Sequence, residues 1–193
     1  YTERGRPQRL LAGEPGAVTL AALVDPFSYR QHLTVPKLIV LATNDRYWPL
    51  DALNVYYDAL PGERYLLYVA NTGHTLQPGR ERAIAALMAL FQQTAGRLRL
   101  PTLRWEASAE RDILTLALTS DRPPRSVWAW VATAPTRDFR DARWEAYEMQ
   151  AEHDRYVHRR PMRRGHITAI FGEVEYTAEP RPFFLSTTVR LFP

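Results

Sequence analysis

At 193 residues the chain has room for one large domain or two small ones, and a hydrophobic content of 46% is enough for a packed core. It holds no cysteine, which excludes disulfides, thiol catalysis and cysteine-based metal sites. A formal charge of +4, with 21 acids mixed among 25 bases, argues against a nucleic-acid footprint, and no apolar run is long enough to span a bilayer.

The chain begins at Tyr1 with neither methionine nor a signal-peptide pattern, which suggests a processed or excised piece and leaves localisation open. Residues 1–16 are polar and broken by Pro7, Gly13, Pro15 and Gly16, so they read as a loop with room for a short helix at Gln8 to Leu11. Ala17 to Val24 reads as a turn or two of helix, stopped where Asp25 is pushed out of the α region by Pro26. Ser28 invites a nucleophile reading. It sits between Phe27 and Tyr29, however, and the strained turn that presents a catalytic serine needs small neighbours.

Pro36 to Thr43 is a nearly continuous apolar run, the pattern of a strand buried on both faces of a parallel sheet, and it ends on Asn44-Asp45. Asp51 is placed to cap a helix with Leu53, Tyr56, Tyr57 and Leu60 on its apolar side, stopped by Pro61-Gly62. A second apolar strand, Tyr65 to Val69, then runs through Asn71-Thr72-Gly73 to His74. This is one βαβ unit with an acid after its first strand and a histidine after its second. Open parallel sheets place chemistry at the carboxyl ends of their strands. If the strands are neighbours, Asp45 can fix the tautomer of His74 and free its other nitrogen to act as a base. Asp51 is the rival acid, weakened by its capping position. Tyr47 and Trp48 follow Asp45 directly and are candidates for the wall of a substrate pocket.

After His74 comes a helix from about Arg80 to Thr94, with Ile84, Leu87, Met88 and Phe91 as its packing stripe and Gly96 placed to close it. From Arg97 the pattern changes. Leu114, Leu116 and Leu118 alternate with polar or small residues, Val127, Ala129 and Val131 alternate with Trp128 and Trp130, and further strand-like runs cover 144–150, 167–176 and 184–191. Several short strands separated by turn residues read as an antiparallel β-sandwich. The boundary divides the chain into residues 1–98 and 99–193.

Three other groupings are weighed and set aside. The cluster from Arg155 to Arg164 reads as a solvated hairpin. His153, His158 and His166 lack the spacing of a metal site, because His153 and His158 fall on opposite faces of a strand. Trp128, Trp130, Trp144 and Tyr147 suit a carbohydrate-binding face, but aromatic residues in sandwiches more often fill the core. No cofactor and no metal is expected.

The stretches LVDPFSYR, PKLIVLATNDRYW, LPGERYLLYVANTGH, TRDFRDARW and GHITAIFGEVEY resemble the PhoPQ-activated pathogenicity-related family. The resemblance implies a serine hydrolase of the prolyl-oligopeptidase type followed by a small β domain. It implies that Asp45 and His74 are the acid and base of a catalytic triad acting on an ester or peptide bond. The nucleophile serine and its elbow then belong to an upstream hydrolase segment that this chain lacks, so the chain alone is expected to be inactive. The family's association with envelope stress and virulence implies an extracytoplasmic location. The expected architecture is α/β plus all-β: the C-terminal half of an α/β-hydrolase parallel sheet, then an immunoglobulin-like β-sandwich. The alternative is an envelope-associated binding protein whose hydrolase fold no longer catalyses.

Overall fold

The computed structural model describes residues 6–193. The part of the expected N-terminal loop at residues 1–5 lies outside the described residues. Two helices, α1 (Arg6–Leu11) and α2 (Pro15–Val24), lead into a 3₁₀ turn at Pro26–His32. Strand β1 (Lys37–Ala42) then pairs in parallel with β2 (Arg64–Val69), in a register running from Lys37 opposite Arg64 to Ala42 opposite Val69. Helix α3 (Arg80–Thr94) packs on this pair.

The remaining strands are β3 (Leu103–Glu110), β4 (Ile113–Ser120), β5 (Ser126–Ala134), β6 (Glu145–Glu148), β7 (Gln150–Glu152), β8 (Arg155–Pro161), β9 (Ile167–Tyr176), β10 (Phe183–Ser186) and β11 (Arg190–Phe192). They form two antiparallel sheets, one ordered β3-β4-β8-β7 and the other β10-β9-β5-β6, with β11 also on β9.

The expected fold class is therefore corrected. An α/β-hydrolase domain needs a broad parallel sheet with helices on both faces. Among the described residues the parallel sheet has two strands only, and the chain is mostly antiparallel β with few helices. Neither the α/β-hydrolase half nor the immunoglobulin-like assignment stands. The first strand is also not buried on both faces: only Ala42 of β1 is buried, and α2 buries no residue at all. The apolar pattern of β1 is that of an inner strand, but its outer edge has no hydrogen-bonded strand among the described residues.

The helix expected after Asp51 is replaced by two 3₁₀ turns, Ala52–Val55 and Tyr57–Ala59. Asp51 makes no capping bond and instead pairs with Arg137. Asn54 donates to the Val189 carbonyl at 2.8 Å, which holds the segment against the second sheet. Leu53, Tyr57 and Leu60 are buried as their pattern demands.

Helix α3 ends in a Schellman arrangement: Gly96 at φ +70° donates to Gln93 O at 2.9 Å, and Arg97 to Gln92 O at 2.9 Å. Its packing face is reversed from the expected one. Ala85, Ala86 and Ala89 are buried, whereas Ile84, Leu87 and Phe91 are exposed. The face turned to the sheets is the one with small side chains.

Two cores run across the boundary at 98/99. Ala85 and Ala89 join Leu114, Leu116, Leu118, Val127 and Ile170 in one. Leu53, Tyr57 and Tyr68 join Trp144 and Phe171 in the other, with Tyr68 and Phe171 at 5.3 Å between ring centroids. Burying a side chain of that size stabilises by roughly 2–3 kcal/mol. Tyr68 also donates its backbone N–H to Ser186 Oγ at 3.0 Å and its hydroxyl to Leu50 O at 3.1 Å.

Gly62 turns the chain into β2 at φ +72°, and a Cβ there lies 2.3 Å from Thr34 O. Both the backbone conformation and the space therefore require glycine. Gly62→Ala is expected to lower stability by more than about 1 kcal/mol in urea denaturation, and an unmoved midpoint would show that the turn relaxes freely.

Candidate acid–base site

Parallel pairing brings the ends of β1 and β2 side by side, and the two turns that follow carry Asp45 and His74. Asp45 Oδ2 lies 2.8 Å from His74 Nδ1. Its other oxygen accepts the Tyr47 N–H at 2.7 Å and, less closely, the Trp48 N–H at 3.4 Å. The acid is nearly enclosed, with 11% of its side chain exposed, and the histidine is open at 55%. Partial burial pushes the Asp45 carboxyl upward, but the Tyr47 N–H, the histidine and the Trp48 N–H together outweigh it and hold the acid below its ordinary value. Asp45 is therefore the anionic partner. A proton on Nδ1 is then the favoured arrangement, and Nε2 is left as an acceptor. No hydroxyl among the described residues hydrogen-bonds Nε2.

Tyr47 and Trp48 stand where a pocket wall is expected and are 74% and 62% exposed. The Tyr47 ring meets the His74 ring edge-on at 4.8 Å. A cleft of about 330 Å³ opens beside Asp45, lined by Tyr47, Trp48, Leu50 and, from the second sheet's side, Arg137, Phe139 and Arg140. Ser28 is in the 3₁₀ turn at Pro26–His32, where its hydroxyl faces Ala21 O at 3.4 Å. It is not brought to the pair. Asp51 lines neither His74 nor this cleft.

The groupings set aside above are dispersed. His158 stacks on Tyr147 at 5.2 Å, and His153 sits at φ +58° in the turn before β8. Trp144 is buried against Phe139 and Phe171, and Trp130 donates its indole N–H to Glu173 at 3.1 Å. Among the described residues no group of three His, Asp or Glu residues is placed to hold a metal ion.

Thr43, Asn44 and Asn71, which are not among the expected site residues, tie the two turns to the segment 139–144. Their signal was an asparagine just ahead of each member of the pair. Asparagine in a strand-end turn usually bonds its own backbone, so a role across the molecule does not show in the spacing.

A curated relative, autocrine proliferation repressor protein A of Dictyostelium discoideum, is 28% identical over 136 residues, covering 67% of this chain and 28% of that protein. The chain thus spans little more than a quarter of that relative's length. Among solved structures, a derivative of BhCBM56 superposes with a TM-score of 0.35 at 9% identity, over 49% of this chain and 94% of that one. A β-1,3-glucan-binding domain of carbohydrate-binding module family 56 superposes at 0.31 and 15% identity, over 48% of this chain and 99% of that one. Superpositions this loose carry no argument about fold or ligand. The family model of the PhoPQ-activated pathogenicity-related proteins matches residues 1–140, which include both site turns, and the chain belongs to that family.

Proposed function

We propose that Asp45 and His74 are the acid and base of an acyl-transfer site that hydrolyses an ester or amide, with the nucleophilic hydroxyl supplied by polypeptide outside these 193 residues. The observation that supports it is the 2.8 Å contact between Asp45 Oδ2 and His74 Nδ1, made by residues distant in sequence at the chemical edge of a parallel pair. Nε2 takes the proton of the attacking hydroxyl and returns it to the leaving group. Asp45 stays ionised throughout, holds the ring in its tautomer and stabilises the imidazolium.

The test uses the longest natural polypeptide that contains this chain, assayed on activated esters and with a fluorophosphonate probe. His74→Ala is expected to lower kcat by about 10³-fold or more with the melt retained. Turnover that survives His74→Ala unchanged removes the base from the mechanism.

A second reading, a non-catalytic binding face, is favoured by the exposure of Tyr47 and Trp48 beside the cleft. Large aromatic rings left in water beside a cleft are common in binding surfaces. Absence of both turnover and probe labelling in the longer polypeptide, with Trp48 fluorescence responding to a ligand, selects this reading.

A further inference from the structure

The turns that carry Asp45 and His74 leave a parallel pair, and the Asn44 N–H donates to Thr72 O at 3.0 Å between them. A second element holds them. The Asn44 side-chain nitrogen donates toward three carbonyls of one loop: Ala142 at 2.7 Å, Phe139 at 3.1 Å and Arg140 at 3.2 Å. An amide has two N–H protons, so one is shared between two of these acceptors. Asn71 grips the end of the same loop. Its Nδ2 donates to Trp144 O at 2.9 Å, and its Oδ1 accepts the Trp144 N–H at 2.8 Å, so a side chain pairs with backbone as a neighbouring strand does.

The two asparagines are also joined to each other. The Asn71 backbone N–H donates to Thr43 Oγ1 at 2.9 Å, and that hydroxyl donates to Asn44 Oδ1 at 2.7 Å. Thr43 is buried, and the loop is itself anchored by the buried rings of Phe139 and Trp144. Asn71 adopts φ +56°, a left-handed conformation in which asparagine is among the least strained side chains. Every polar atom of both asparagine side chains is thus engaged away from the pair they flank.

We infer that residues 139–144 are the positioning element of the acid–base site, acting through Asn44, Thr43 and Asn71. This rests on reading His74 as a base. A drift of about 1 Å between the turns lengthens the Asp45–His74 contact beyond hydrogen-bond range and releases the imidazole to either tautomer. The network prevents that drift by fixing both turns to one buried support. Asn44, Thr43 and Asn71 are positioning residues, because none of them touches the imidazole.

The test reads the imidazole directly, by NMR of the 193-residue chain with ¹⁵N-labelled histidine. In the wild type, Nδ1 is expected to show a low-field proton and Nε2 the resonance of a bare nitrogen. Asn44→Ala, and Asn71→Gly, which keeps the left-handed backbone, are each expected to lose that proton signal. The two ¹⁵N resonances move toward each other as the tautomers average, and the melt stays cooperative. Gly62→Ala is the control: it destabilises the chain elsewhere and leaves the His74 signals in place. If either asparagine variant does not fold, Thr43→Val, which keeps the side chain's shape and removes the link, gives the same reading. Persistence of the Nδ1 proton in the folded variants overturns the inference, as does its equal loss in Gly62→Ala. Failure to find hydrolysis leaves these spectra unaffected, so the two readings fail separately.

Discussion

Asp45→Asn in the complete protein is expected to lower kcat by about 10⁴-fold while moving the melting midpoint little. The amide keeps the shape of the acid, and its oxygen still accepts the Tyr47 N–H that holds the turn. Its NH₂ group, facing Nδ1, donates where the carboxylate accepts, so the imidazole is held with its proton on Nε2 and cannot act as a base. Asp51→Asn provides the comparison. Asp51 is half-buried, pairs with Arg137 and does not line the cleft, and its replacement by the isosteric amide is expected to leave kcat within about two-fold. Steady-state turnover on an activated ester, beside thermal melts, decides between them. If Asp51→Asn abolishes turnover and Asp45→Asn does not, the acid is misassigned. The pH dependence follows the depressed Asp45 carboxyl. A lowered folded value stabilises above the unfolded value, and that stabilisation is lost as pH falls through the folded value. The small stability difference between wild type and Asp45→Asn therefore closes in acid.

The largest loss of stability is expected from Arg82→Ala. Arg82, in the first turn of α3, forms an ion pair with Glu173 of β9 and lies 3.7 Å above the Phe184 ring. Glu173 is buried, accepts the Trp130 indole N–H at 3.1 Å and leaves its second oxygen without a partner among the described residues. Burial pushes its carboxyl upward against the opposing pull of Arg82 and the Trp130 N–H. Removing Arg82 strands that charge in the interior, at a cost of about 3 kcal/mol, and adding Glu173→Gln should restore much of it. In Arg82→Ala the raised Glu173 value makes stability greatest at low pH and lost as pH rises through the folded value. Urea titrations from acid to neutral pH measure this. A penalty that does not vary with pH would mean that lost packing on Phe184, and not the buried charge, is the cause.

Local chemistry was legible in the sequence and the larger geometry was not. Helix α3 and its Gly96 stop, the span of β9 and the buried alternation of Leu114, Leu116 and Leu118 follow from periodicity and turn chemistry. Asp45 and His74 stand out because each follows an apolar strand, and the structure brings them to 2.8 Å. The packing face of α3 was not legible: the periodicity of Ile84, Leu87 and Phe91 is strong, but alanines carry little hydrophobic signal. The apolar run of β1 implied a broad parallel sheet because pattern cannot report how many neighbours a strand has. The 3₁₀ turns after Asp51 escaped for another reason. The pull of Asn54 toward Val189 is a tertiary contact that competes with the local helix signal. The same limit hid Asn44 and Asn71, whose partners lie far along the chain.

The stretch between α3 and β3 lies outside any helix or strand, yet the cores on either side of it are shared. A peptide bond cut there is expected to sever the chain without separating its parts, since Tyr68 packs against Phe171 and Ala85 and Ala89 lie in the leucine core. The two pieces are thus built as complementary fragments. The Asp45–His74 pair lies on one and the loop 139–144 on the other, so the bonds of Asn44 and Asn71 to that loop become a readout of fragment reassociation.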